Sequence, residues 1–236
     1  MRRFILILIT TIFLACTLSA FSDSCYPQID GTKPQYIVGY GNFMNNHAVR
    51  QTDSNASANI PVELLGYQRT WGVVPARSPR EMLVGIVQHP GYLINASVFR
   101  LSNSELMEKL DQREYGFCRK AVTRDELRQL AGAKLSSGQF WIYIPSNDLF
   151  RDPIKDAPIS QGYVDVFLTG CIALERDYHL DGFAKQCIVT TSNWHAEWMQ
   201  DHLIKRRAYI TASDIQAVDM LLQQMLPSVY QTKPSQ

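Results

Sequence analysis

Apolar positions fall into short runs in the first two thirds of the chain and into helically spaced sets towards its end. Tyr36–Tyr40 (YIVGY) reads as a short strand entering a turn at Gly41. Val62–Trp71 has strand character, with Leu64, Leu65, Tyr67 and Trp71 as its bulky members. Met82–Val87 and Leu93–Leu101 read as two more strands separated by a turn at Pro90-Gly91. Ser102-Asn103-Ser104-Glu105 is a capping box, and Leu106 and Leu110, four apart, give the buried face of the helix it opens. That helix runs into Leu110-Asp111-Gln112-Arg113-Glu114 and breaks at Gly116, after which Phe117–Val122 reads as a strand. A second capping box, Thr123–Glu126, predicts a short helix ending near Gly132. Phe140–Ile144 (FWIYI) is strongly strand-like, and Pro145–Pro158 reads as a long connection of lid or flap character. In the last third Tyr163–Leu174 is a long apolar segment. Ser192 or Asn193 predicts a helix through about Arg206. Thr211 or Ser213 predicts a final helix through Leu226, whose stripe of Ile215, Val218, Leu222 and Met225 is core packing. Strands first and helices later argue for an α+β domain.

Composition narrows this picture. With 236 residues, 46% hydrophobic and 19% charged, the chain reads as one domain able to bury a core, and not as a disordered, collagenous or coiled-coil protein. A net charge of +1 gives no reason to expect a nucleic-acid partner, which usually needs a basic face. The N-terminus reads as an address. Met1-Arg2-Arg3 precedes an apolar run from Phe4 to about Leu18, and Ala20-Phe21-Ser22 fits the small-x-small rule, so residues 1–22 form a secretory signal with cleavage near Ser22. The apolar run is short for a membrane span, and no stable span is expected after cleavage. Lipid attachment at Cys16 is the lesser alternative, because Phe13 fits a lipobox poorly. Without Arg2 and Arg3 the chain has 21 basic and 22 acidic residues, a net charge of −1.

Export puts the remaining Cys25, Cys118, Cys171 and Cys187 in an oxidising compartment. Of three pairings, Cys171–Cys187 is preferred, because the stretch between them reads as a strand followed by a loop. Cys25–Cys118 would then tie the mature N-terminus to the body, and buried free thiols at Cys118 and Cys171 are the alternative. No C-x-x-C occurs, and His195 and His202, seven apart, are too far apart for one metal, so neither metal nor cofactor is expected. Asn55-Ala56-Ser57 and Asn95-Ala96-Ser97 match the glycosylation sequon. Lys205-Arg206-Arg207 reads as a solvated helix end, and His47 and His89 as structural or exposed loop residues.

No hydrolase nucleophile elbow, phosphate-binding loop or dinucleotide fingerprint is present. Two features about 70 residues apart stand out: Val38-Gly39-Tyr40-Gly41-Asn42-Phe43-Met44, continuing to Arg50 and Thr52, and Leu110-Asp111-Gln112-Arg113-Glu114. A strand that ends in Gly-bearing sequence can turn several N–H groups to one point, where they hold a carboxylate or an oxyanion. A helix-terminal acid beside them can shuttle a proton.

These blocks resemble the γ-glutamyl cyclotransferase-like superfamily over about 130 residues. Tyr40-Gly41-Asn42-Phe43-Met44 matches its Y-G-S loop, with Asn42 for Ser and Phe43 for Leu or Asn. Leu65-Gly66-Tyr67-Gln68-Arg69-Thr70-Trp71 matches a G-y-x-R-x-W segment. Ala96–Leu106 followed by Leu110–Glu114 matches the block that ends in L-D-x-R-E. Gln161-Gly162-Tyr163-Val164-Asp165 looks like the family's later Tyr-bearing strand. The resemblance implies a small antiparallel β-barrel flanked by helices. Residues 23–236 read as one such domain, with a helical extension from about 176 that the resemblance does not cover. It implies cyclisation of a γ-glutamyl amide to 5-oxoproline, with release of an amine or amino acid. Glu114 would be the general acid/base, and Tyr40, Gly41, Asn42, Phe43 and Met44 would hold the small-molecule substrate. Tyr163 would offer a hydroxyl near Glu114. The alternatives are a non-catalytic exported protein that uses the same pocket to bind a carboxylate-bearing ligand, and a γ-glutamyl acyltransferase.

Overall fold

The computed structural model of the chain describes residues 25–75, 81–151, 157–195, 197–199 and 209–232. Residues 1–22, read above as a secretory signal, with Cys16, part of the Pro145–Pro158 connection, His202 and Lys205-Arg206-Arg207 lie outside the described residues.

Strand β1 (Gln35–Gly39) alternates between two cores, with Tyr36 and Val38 facing one and Ile37 the other. A short helix α1 (Asn46–Arg50) leads to β2 (Ile60–Val73) and β3 (Leu83–Arg100), which form a long antiparallel ribbon. The turn expected at Pro90-Gly91 does not divide two strands. Pairing jumps from Leu65↔Leu93 to Tyr67↔Gln88, so the residues between leave the ladder as a bulge while the flanks stay on one partner. Proline is tolerated there because a bulge asks for no ladder donor.

Helix α2 (Leu106–Arg113) starts later than expected. The Ser102 box does not form, because the buried Asp53 carboxylate takes both the Ser102 N–H and its hydroxyl at 2.7 Å. A buried acid recruits donors from any element within reach. Strand β4 (Phe117–Val122) follows. The Thr123–Glu126 box does form, but it caps a single 3-10 turn, and the chain continues as β5 (Leu127–Gln129) on β2 instead of as a helix to Gly132. Strand β6 (Gln139–Pro145) holds the FWIYI run.

After β7 (Ile159–Ser160) comes α3 (Gln161–Tyr178), then α4 (Phe183–Val189), β8 (Thr191–Ser192), β9 (Trp198–Met199), α5 (Ala212–Met225) and α6 (Pro227–Thr232). The expected Tyr-bearing strand is therefore the first turn of α3. A continuous apolar run can be a buried strand or a buried helix, and α3 is buried along most of its length. The helix expected from Ser192 is likewise absent at its start, where two short strands stand. Helix α5 matches its expectation: Thr211 and Asp214 form its capping box, and Val218 and Leu222 are buried.

The main sheet has the order β4-β6-β1-β3-β2-β5, with β8 on β2, and curls into a half-barrel. The β1–β6 and β2–β8 pairings are parallel and the others antiparallel. One face packs on α3, α4 and α5, the other on α1 and α2, which is the expected α+β architecture. Disulfides join Cys25 to Cys118 and Cys171 to Cys187, so the preferred pairing holds and the free-thiol alternative does not. The second bridge staples α3 to α4, a helix–turn–helix where a strand and loop were expected. Among the described residues no helix is long and apolar enough to cross a membrane.

Candidate active site

The loop after β1 makes a 3-10 turn over Asn42–Met44 and enters α1, whose first N–H groups, those of His47 and Ala48, are capped by the Asn45 side chain. Its carbonyls are fastened from behind. Arg69 Nη1 donates to the Tyr40 carbonyl at 3.0 Å, and Asn59 Nδ2 donates to those of Phe43 and Met44 at 2.9 Å. Ser97 Oγ donates to the Phe43 carbonyl at 3.2 Å. The Gly41 and Asn42 carbonyls accept from the Met44 and Asn45 N–H groups. With the carbonyls occupied, the N–H groups of Gly41 and Phe43 have no acceptor among the described residues. Helix α3 lies directly on the loop: a Cβ on Gly170 would sit 2.5 Å from the Met44 carbonyl carbon.

Glu114 stands at the end of α2, its N–H still bonded to the Leu110 carbonyl at 2.8 Å. It faces the loop across a cavity of about 450 Å³ lined by Tyr40, Gly41, Asn42, Phe43, Glu114 and Tyr163 among others. Its side chain is mostly buried, with 21% exposed. Loss of hydration raises its pKa above the ordinary glutamate value, and the Arg113 guanidinium, 3.4 Å away, pulls it partly back. Arg113 is fixed by the Ala48 carbonyl and the Thr52 hydroxyl, and its guanidinium lies 4.5 Å from the centre of the Phe43 ring. Asp111 plays a different part. It accepts from Arg119 and, at 2.6 Å, from the Tyr143 hydroxyl, which ties α2 to β4 and β6.

Tyr163 reaches the same cavity from α3. Its hydroxyl lies against the loop so closely that any side chain on Gly41 would collide with it. Burial raises the Tyr163 pKa, and the Asn42 N–H partly opposes the shift.

Tyr40, Gly41, Asn42, Phe43, Glu114 and Tyr163 are thus brought to one cavity. Met44 is not: its side chain is buried in the core and its N–H is spent inside the turn. Tyr115 and Phe117 both line the cavity, Tyr115 from an exposed position. Gln51, Glu81 and Tyr209 line it too, without a motif to mark them beforehand; His47 stacks on Tyr209 with ring centres 5.6 Å apart. Among the described residues no group of three or more His, Cys, Asp or Glu side chains is gathered to hold a metal ion.

The residue whose importance was least apparent is Arg69. It is fully buried on β2, and all three guanidinium nitrogens donate to neutral oxygens. A signal for it existed. Tyr67, Arg69 and Trp71 alternate onto one face of the strand, so an arginine between two inward aromatics had to be buried. Asn95, one of its acceptors, also donates to the Phe183 carbonyl, so the second sequon is buried in the folded chain. Asn55 of the first sequon is exposed.

The arrangement sets unspent N–H donors and a desolvated carboxyl around one small cavity, which suits an anionic group on one side and proton transfer on the other. No protein-family model matches the chain, and no curated protein does. Among solved structures it is similar to a γ-glutamyl cyclotransferase, with 14% identity, 80% of this chain and 99% of that one covered, and a TM-score of 0.53. It is also similar to an uncharacterized protein from Homo sapiens, with 13% identity, coverage of 79% and 98%, and a TM-score of 0.51. Sheet order, loop and flanking helices together give this chain the γ-glutamyl cyclotransferase-like fold.

Proposed function

We propose that the protein is an exported γ-glutamyl cyclotransferase-like lyase. The α-amine of a γ-glutamyl group attacks its own γ-amide carbon, and the carbon–nitrogen bond to the leaving group breaks. The products are 5-oxoproline and a free amine or amino acid. Both reacting atoms belong to one substrate, so the protein's task is to fold it into a near-attack geometry. The Tyr40–Phe43 backbone holds the substrate α-carboxylate. The Glu114 carboxylate takes a proton from the α-ammonium, freeing the nucleophilic lone pair, and returns it to the departing nitrogen; the second proton, shed by the ring nitrogen as it becomes the lactam, goes to the released amine, which leaves as an ammonium.

The observation that carries this reading is the placement of the mostly buried Glu114 side chain in the cavity that the loop also lines, where loss of hydration raises its pKa. A carboxyl that holds its proton more tightly than usual is suited to giving it back. The two disulfides support export, because such bonds persist in oxidising compartments. The test is 5-oxoproline release from a panel of γ-glutamyl amines and peptides. Release by the wild type that is abolished in Glu114→Gln is the expected result. Release that persists in Glu114→Gln removes Glu114 from the mechanism, and no release from any member of the panel overturns the lyase.

A further inference from the structure

Arg69 is a cation with no anion beside it among the described residues. Its guanidinium is completely buried, and no carboxylate among the described residues pairs with it. Its Nε donates to Thr191 Oγ1 at 2.7 Å and its Nη1 to the carbonyls of Tyr40 and Asn95. Its Nη2 donates to Asn95 Oδ1, the Cys187 carbonyl and Thr190 Oγ1 at 2.8–3.0 Å. The Phe167 ring covers one face, with its centre 4.8 Å from the guanidinium carbon. Burying a charge among dipoles alone is costly, and an ordinary core position would carry an apolar residue. Burial draws the Arg69 pKa down only to about 9, so the group stays cationic at neutral pH.

The geometry of one peptide unit shows where this charge is directed. Arg69 bonds the Tyr40 carbonyl, and the Tyr40–Gly41 peptide is trans, so the Gly41 N–H points the opposite way from that carbonyl. Gly41 lines the cavity, and no described residue accepts its N–H. A charged donor on the carbonyl polarises the whole peptide and strengthens its N–H as a donor.

We infer that Arg69 is a positioning residue that makes the loop selective for a carboxylate. Its unpaired charge, relayed through the Tyr40–Gly41 peptide, is completed by the anionic group of the ligand, so that ligand supplies the missing counter-ion without touching the guanidinium. The inference rests on the proposed use of the loop to hold the α-carboxylate.

The experiment compares calorimetric binding of 5-oxoproline, which carries that carboxylate, with binding of its neutral carboxamide, 5-oxoprolinamide. The wild type is expected to prefer the acid by at least tenfold. Arg69→Met should lose most of that preference and Arg69→Lys should keep most of it. Should Arg69→Met fail to fold, Thr190→Asp serves in its place. It puts a carboxylate against Nη2 at a partly buried position while keeping Arg69 and its bond to Tyr40. With folding retained, as melting and circular dichroism would report, it should lose the acid preference tenfold as well. A merely structural arginine would weaken acid and amide binding alike in Arg69→Met, and Thr190→Asp would leave their ratio untouched; either result overturns the inference. So does a wild type that binds the two ligands equally or binds neither. Acid preference that depends on Arg69, without 5-oxoproline release, removes the lyase and leaves the role of Arg69 standing.

Discussion

Two arginines flank the candidate site, and they are opposites. Arg113 at the front is partly exposed, sits beside the Glu114 carboxylate and stacks on Phe43. Its charge is answered locally by the adjacent Glu114. Arg69 at the back is fully buried, bonds only neutral oxygens and reaches four separate segments of the chain: the loop, β3, the end of α4 and β8. The difference teaches that one residue type tunes a titrating group when its charge is compensated and organises backbone when it is not. On the proposed function, the front of the cavity serves proton transfer and the back holds a shape and a potential.

The strongest break in that comparison is at the front. Glu114→Gln should lower 5-oxoproline release by about 10²–10⁴-fold, the usual worth of a general acid/base. Its melting temperature should hold or rise near pH 7. An acid whose folded pKa is raised stabilises the fold only while protonated, fully below its unfolded pKa, and that contribution is lost as pH rises through the folded value. The glutamine stays neutral throughout. A large fall in melting temperature would show that Glu114 is a structural residue.

The back should break through stability first. Cys187 both closes the bridge to Cys171 and offers its carbonyl to Arg69. Replacing both cysteines by alanine opens a loop of sequence separation 16 and should cost about 3 kcal/mol in denaturant unfolding. The loop that Arg69 holds should loosen as well, so 5-oxoproline binding should weaken. Unchanged affinity in the destabilised variant would separate the disulfide from the site.

Arg113→Gln tests whether the front arginine tunes its neighbour. Arg113 lowers the Glu114 pKa, so its loss should raise that pKa further. The acid limb of the pH profile of kcat/KM, where ionised Glu114 is needed, should then move to higher pH. A limb that stays in place assigns it to another group. The smallest effect is expected for Tyr163→Phe. It removes a neutral hydroxyl that meets the loop at Asn42 and should cost less than about tenfold in kcat/KM, in line with a single neutral hydrogen bond.

Much of the front was legible in the residues. The loop and the L-D-x-R-E block stood out as a strand end and a helix end, and those are local features. The structure added that Asp111 and Arg113 of that block secure α2 and Glu114 while Glu114 itself lines the cavity. Local signals failed where a distant partner outbid them. Ser102 has every mark of a helix cap, yet its hydroxyl goes to Asp53, 49 positions away. The apolar run after Tyr163 has no period that separates strand from helix, and packing between the sheet and α4 and α5 decided it.

The sequence by itself determined β1, β2, β4 and β6 in outline, the apolar flanks of β3, and the α2 and α5 helices. In each, neighbours a few positions apart carried the information. Only the tertiary structure decided that no described carboxylate pairs with Arg69, that its carbonyl partner belongs to the cavity loop, and that Tyr163 stands on a helix against Gly41. Burial and charge compensation are sums over groups as far as 122 positions apart in the chain, as Arg69 and Thr191 are, and no local pattern contains them.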